Sequence, residues 1–337
     1  MRMPIVDCYS PQAAQQLRQA CMEVGFFYLR GHGVPRPLQQ AVYREMHRFF
    51  HLPPAEKAKA TADKNMRGWA PLYEETLDPE NQSKGDTKEA YHVCRDSLPD
   101  EAHLPLHDTT NVFPDPAVLP TFHPITTAYF NAMSHVGLHV AHLFAAAAGS
   151  PGAFDAPGMF DRCVLPPRIS FDSLHTLDMI PFHFPMAVLR MLRYNAEPSD
   201  LAAGVIACGA HSDFGLLTLL STDEEPGLQI DYRGDWVDVP RVENAFIVNV
   251  GDLAERWTNG LFRSTRHRVV NTTGRERYSI PFFFEPNFDC TVACLPSCVS
   301  ASNPAKYSPI TAGTNLLNIY KTIHANYPTD HDSVALK

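Results

Sequence analysis

Charge is scarce in this chain, and positive charge scarcer still. Its 337 residues include 28 Lys or Arg against 37 Asp or Glu, a formal net charge of −9. A domain built to grip DNA or RNA needs a basic face, so this balance argues against nucleic acid as the main partner. No Cys-x-x-Cys pair occurs among the eight cysteines, at 8, 21, 94, 163, 208, 290, 294 and 298. Spread over so long a chain, they read as reduced thiols in a reducing compartment. The start, Met1-Arg2-Met3-Pro4-Ile5, lacks the apolar run of a secretory leader, and a cytoplasmic location is expected. Residues 116–154 contain no Asp, Glu, Lys or Arg, which raises the question of a membrane span. Asn131, Ser134, His135, His139 and His142 interrupt that stretch and no basic cluster flanks it, so no span is expected. Phe122, Tyr129, Met133, Val136, Val140 and Phe144 recur at helical spacing and predict a long helix buried within the protein.

What is present is an ordinary folded composition, 45% hydrophobic. There is no internal repeat, low-complexity tract or long flexible linker. Pro4–Asp7 reads as a short strand, Ser10-Pro11 opens a helix to about Glu23, and Gly25–Leu29 is an apolar strand. A second helix runs from Pro35 to about Phe50. Residues 61–115 read as irregular and polar, and the long buried helix follows. From Leu189 the texture turns to β, with short apolar runs at Leu189–Tyr194, Val205–Ala210, Leu216–Leu220, Leu228–Asp231, Trp236–Val239, Phe246–Val250, His267–Val270 and Arg277–Phe284. Arg233-Gly234-Asp235 and Thr273-Gly274 are hairpin turns. Eight short strands so spaced predict an α+β fold, a double-stranded β-helix (jelly roll) core with flanking helices. A final helix spans about Thr311 to Ala325.

Two metal patterns are set aside. Cys290, Cys294 and Cys298 repeat every four residues, but Pro296 breaks the helix that would align them. His135, His139 and His142 share a helical face with no carboxylate or cysteine beside them, and read as a packed, hydrogen-bonded stripe.

A third pattern carries more. His211 and Asp213 flank one residue at the end of an apolar strand, so their side chains point the same way. His267 opens another strand, with 53 residues between it and Asp213. Two imidazoles and a carboxylate on one face of a metal leave the other face open, the facial triad of non-haem iron(II) oxygenases. An isolated His-x-Asp is a weak signal, since Asp213 can cap a turn and His267 can pack on its strand. Arg277-Tyr278-Ser279 strengthens it. Arg277 and Ser279 also share a face, ten residues after His267. A guanidinium inside a barrel is expensive unless an anion occupies the site, and a dicarboxylate is the natural occupant.

These stretches resemble the iron(II)- and 2-oxoglutarate-dependent dioxygenases of the isopenicillin N synthase-like family, over nearly the whole chain. Pro4-Ile5-Val6-Asp7, Gly25–Tyr28 with His32-Gly33-Val34, Asp86–Tyr91, His211–Gly215 with Leu217–Leu220, Asn249–Asp252, Ser264–Val269 and Arg277–Ser279 follow the family's order. The resemblance implies a single oxygenase domain over residues 1–337. Residues 1–188 would be a mainly helical region packed on the core, 189–290 the jelly roll with the metal site, and 291–337 a C-terminal segment and helix. It implies His211, Asp213 and His267 as Fe(II) ligands. Arg277 and Ser279 would hold the distal carboxylate of 2-oxoglutarate, with Tyr194 near the co-substrate. The expected partners are dioxygen and a small-molecule substrate, hydroxylated or desaturated as 2-oxoglutarate loses carbon dioxide to become succinate, with ascorbate as a reductant. Phe113-Pro114 stands where the family often has Trp-Pro, and Arg193–Pro198 replaces a HYPP-like run. Both departures leave the triad intact and bear on the substrate pocket. Residues 161–187 look like extra sequence, expected as a loop at the pocket mouth. Trp69, Tyr73, Tyr91, Phe182 and His183 are candidate pocket residues. Three rivals remain open here: an oxidase of the same family that uses no 2-oxoglutarate, a non-catalytic metal-binding jelly roll, and a nucleic-acid or protein demethylase, the last disfavoured by the acidic balance.

Overall fold

A computed structural model of the chain describes residues 1–63, 65–96, 104, 109–160 and 186–323. In chain order the elements are β1 (Ile5–Asp7), α1 (Ala13–Glu23), β2 (Phe26–Arg30), α2 (Arg36–Phe50), α3 (Pro54–Ala58), β3 (Gly68–Ala70), β4 (Lys88–Cys94) and α4 (Phe122–Ala147). There follow β5 (Ala187–Tyr194), β6 (Cys208–His211), β7 (Leu217–Thr222), β8 (Leu228–Tyr232), β9 (Asp235–Asp238), β10 (Phe246–Val250), α5 (Asp252–Trp257), β11 (His267–Val269) and β12 (Arg277–Phe284). The strands β13 (Thr291–Val292) and β14 (Ile310–Thr311) and the helix α6 (Ala312–Ile323) close the described chain.

Eight strands form one large sheet in the order β1-β2-β10-β7-β12-β5-β4-β3, and four form a smaller one in the order β6-β11-β8-β9. Pairing is antiparallel except where β1 runs beside β2. The large sheet is buried on both faces, so its strands do not alternate apolar and polar; they alternate between two cores. Phe27, Leu189, Ile280, Phe282 and Phe284 face a helical layer with Leu17, Phe49, Phe122 and Phe144. Phe26, Tyr28, Leu192, Tyr194 and Ile247 face inward, where Ile230, Cys208 and Val269 of the small sheet meet them. This two-sheet sandwich is the expected jelly roll. Its β8–β9 hairpin turns on Arg233 and Gly234, both at positive φ (60° and 92°), as a two-residue hairpin of the favoured twist requires.

The long helix is 26 residues of mostly apolar side chains and packs within the protein. Among the described residues no helix is long and apolar enough to cross a membrane. Its His139 Nε2 bonds the Cys8 carbonyl at 2.8 Å, and His142 stands 3.2 Å from Asp155. The run around Cys294 is not α-helical; it ends in a short turn begun by Pro296.

One region departs from expectation. Residues 61–115 carry β3 and the seven-residue β4, the latter almost wholly buried. Its charges are paired rather than absent. Glu89 accepts from Lys57 Nζ at 2.7 Å, Trp69 Nε1 at 2.7 Å and Arg193 Nη1 at 2.6 Å. Buried ions are tolerated only when matched in this way. The expected loop at 161–187 lies outside the described residues up to 185, as do Phe182 and His183. Ala187 already belongs to β5, two residues before the expected strand start.

Candidate active site

The small sheet sets two histidines face to face. β11 pairs with β6 so that His267 lies opposite His211, with ring centroids 4.3 Å apart. Asp213 follows two residues beyond the end of β6, and its Oδ1 stands 3.6 Å from both Nε2 atoms. One ligating atom from each of the three residues lies within 4.8 Å of the other two. His211 Nδ1 lies 2.8 Å from the Gly209 carbonyl, and His267 Nδ1 lies 3.2 Å from that of Thr265. A carbonyl only accepts, so each Nδ1 carries the proton and each Nε2 presents a lone pair to the shared point. The Gly209 peptide is itself held, its N–H donating to Asp86 Oδ1 at 3.0 Å.

The carboxylate is gripped from the large sheet. Thr218 on β7 and Asn249 on β10 are register partners. Thr218 Oγ1 donates to Asp213 Oδ2 at 2.5 Å and Asn249 Nδ2 donates to the same oxygen at 2.6 Å. Both bonds take one oxygen and leave Oδ1 turned to the histidines. Burial opposes the charge on Asp213, but His267, His211 and Asn249 outweigh it and hold the carboxyl well below its usual range. Burial, with His211 beside it, lowers His267 to about 4. Burial also works against a charged His211, yet the Asp213 carboxylate beside it raises it above the ordinary value.

A second group lies deeper between the sheets. Arg277 sits opposite Tyr194 in the β12–β5 pairing, its guanidinium 5.0 Å from the centre of the Tyr194 ring. Arg277 is 3% exposed and Ser279 1%. Among the described residues, Arg277 Nε and Nη1 have no hydrogen-bond partner. Two orphaned donors on a buried cation are what a carboxylate would satisfy. Burial raises the Tyr194 phenol, Cys208 of β6 adds to this, and Arg277 and the Ser279 hydroxyl work the other way. Tyr194 and Arg277 therefore share the interior with the strand that carries His211.

A pocket reaches His211 and Asp213 and is lined among others by Met66, His92, Phe214, Phe283, Glu285 and Leu316, while Arg277 lines a separate cavity with Thr222, Glu225 and Arg241. The segment 61–115 and the final helix contribute to the pocket at His211. Trp69 and Tyr91 do not: Tyr91 packs edge-on against Phe49 and Phe122 in the helical core, and Trp69 caps Glu89. Tyr73 is a surface residue whose hydroxyl donates to Glu197 at 3.1 Å. Glu75 on the pocket wall is matched by two cations. Arg190 reaches Glu75 with both terminal nitrogens, at 3.3 and 2.8 Å. Lys88 reaches Glu75 at 2.9 Å and also contacts Asp86. Thr218, Asn249, Asp86 and Glu285 escaped the sequence reading. The first three stand inside quoted stretches, but their contacts cross between strands.

The comparisons agree with this geometry. The family model described as the 2OG-Fe(II) oxygenase superfamily matches residues 185–286, and that described as non-haem dioxygenase in morphine synthesis N-terminal matches 3–116. Kihadalactone A synthase LFS of Citrus sinensis is 33% identical over 339 residues, spanning 98% of this chain and 94% of that protein. The chain belongs to the 2OG-Fe(II) oxygenase superfamily. The oxygenase is also 35% identical to the 2-oxoglutarate-Fe(II) type oxidoreductase hxnY of Emericella nidulans, over 91% of this chain and 83% of that one. A full-length Neurospora crassa protein in complex with alpha-KG superposes with a TM-score of 0.77 at 25% identity, covering 95% of this chain and 96% of that chain. Fe(II) and 2-oxoglutarate are therefore its cofactor and co-substrate.

Proposed function

We propose that this oxygenase holds Fe(II) through His211, Asp213 and His267, and that Arg277 and Ser279 hold the distal carboxylate of 2-oxoglutarate beside Tyr194. The observation that carries the reading is the pairing of a converged two-histidine, one-carboxylate set with a buried guanidinium that has two unmatched donors. Bound iron(II) supplies the dioxygen chemistry that couples decarboxylation of 2-oxoglutarate to hydroxylation or desaturation of a small organic substrate.

The chain's own residues do the rest. The Gly209 and Thr265 carbonyls fix the histidine tautomers, and Thr218 with Asn249 orients the Asp213 carboxylate. The pocket walls keep bulk water from the reacting centre. We read residues 1–337 as one oxygenase domain, supported by the helical layer and the jelly roll sharing the large sheet. A cytoplasmic location is supported by the cysteines, which are free thiols at 8, 21, 94, 208, 290, 294 and 298.

The test is iron-dependent conversion of 2-oxoglutarate to succinate, with anaerobic iron titration of His211→Ala. The variant is expected to lose stoichiometric iron and succinate formation together. Full iron binding with a normal rate in that variant would overturn the ligand assignment.

A further inference from the structure

One carboxylate in the pocket stands apart from the ion pairs around it. Glu285 follows β12 and lines the same pocket as His211 and Asp213. Its carboxylate lies against Gly215. A Cβ there would stand 1.4 Å from Oε1 and 2.1 Å from Cδ, so only glycine leaves room for the group. Oε2 accepts the Leu216 N–H at 2.8 Å. Among the described residues no cationic side chain pairs with this carboxylate, and Glu285 lines the pocket. Burial pushes the carboxyl up to about 8 against the pull of the Leu216 N–H, as befits an acid that lacks a counter-charge.

Other charges nearby are matched. Lys88 and Arg190 are matched by Asp86 and Glu75. In the loaded enzyme the two charges of Fe(II) and the one of Arg277 meet the single charge of Asp213 and the two of 2-oxoglutarate. Arg67 and Arg95 reach the pocket from its β3–β4 side, where they donate to the Arg95 and Asp96 carbonyls. Glu285 remains, a carboxylate out of bulk water with one hydrogen bond, and such a group is costly in its charged form without a counter-charge. It mirrors Arg277: one orphan is a cation that the co-substrate satisfies, the other an acid that the co-substrate cannot. The walls nearby are apolar, from Met186, Val188, Phe214, Phe283 and Leu316.

We propose that the primary substrate is a mainly apolar small molecule bearing a basic nitrogen, cationic at neutral pH, and that Glu285 pairs with that nitrogen. This rests on the reading of the site as an Fe(II)/2-oxoglutarate centre. The test uses the anaerobic holoenzyme with Fe(II) and 2-oxoglutarate and three matched probes: 4-phenylbutylamine, 4-phenylbutan-1-ol and 4-phenylbutanoate. Affinities are read by calorimetry. The wild type is expected to bind the amine about ten- to a hundredfold more tightly than the other two, the span of a charge-assisted hydrogen bond. Glu285→Gln is expected to erase that preference by weakening the amine alone. A wild-type preference for the alcohol or the carboxylate, or an amine preference that survives in Glu285→Gln, overturns the proposal. Binding of 2-oxoglutarate is measured first in each protein and reports folding in the variant. Its failure in the wild type would sink the underlying reading of the site. Its success without an amine preference sinks only the role of Glu285, and the wild-type comparison decides even if the variant does not fold.

Discussion

Replacing Arg277 by Leu tests the anion site most directly. The guanidinium is buried, lies on the Tyr194 ring and leaves Nε and Nη1 without partners. A hydrogen bond to a charged group contributes roughly 1.5–3 kcal/mol. Two donors at the lower figure give about 3 kcal/mol, or roughly a hundredfold in affinity at about 1.4 kcal/mol per tenfold. Arg277→Leu is therefore expected to weaken 2-oxoglutarate by about a hundredfold or more, with iron affinity nearly unchanged because none of the three ligands is bonded to this residue. Arg277→Lys keeps the charge but loses the planar fork, so it restores only part of the affinity. The assay is anaerobic titration of 2-oxoglutarate into the iron-loaded protein, followed by calorimetry, with iron content measured separately. An unchanged 2-oxoglutarate affinity in Arg277→Leu, alongside a large loss of affinity for some other carboxylate, refutes the assignment of this guanidinium to the co-substrate.

Two further outcomes are expected. Thr218→Val keeps the shape of the side chain and removes one of the two bonds to Asp213 Oδ2. Iron(II) should bind roughly ten- to a hundredfold more weakly, and an unchanged dissociation constant would count against the carboxylate clamp. Asp223 is raised by burial to about 6, against the pull of Arg277. A folded-state value above the ordinary carboxyl means that stability from this group is present below about pH 4 and lost as pH rises through 6. The melting temperature of Asp223→Asn relative to wild type is therefore expected to climb between pH 4 and pH 7. A difference that does not vary with pH would show that the group does not titrate in that window.

The jelly roll was legible because its strands are short, rich in β-branched and aromatic residues and bounded by turn residues such as Arg233-Gly234. Boundaries moved by a residue or three, as at β6, where the run from Val205 becomes regular only at Cys208. The strand β4 was not legible, since Lys88, Glu89 and His92 look like solvent-facing charge. The partners that let them be buried, Lys57, Arg190, Arg193 and Glu75, come from distant parts of the chain. The same holds at the site. His211, Asp213, His267 and Arg277 announce themselves by residue type and spacing. Thr218 and Asn249 are ordinary strand residues until the β7–β10 register sets them side by side beneath Asp213. Glu285 carries no local mark at all; its place is defined by the glycine against which it rests.

The clamp on Asp213 has a consequence for assembly. Both histidines belong to the small sheet, whereas the residues that aim the carboxylate belong to the large one. A metal ion held by all three ligands would thus act as a rivet through two layers that are otherwise joined by side-chain packing and a few hydrogen bonds such as that from Gly209 to Asp86. A molecule whose sheets have closed a residue out of register presents its imidazoles to a misdirected carboxylate and cannot take the ion tightly. Tight iron binding would in that sense report that the two layers have closed in register.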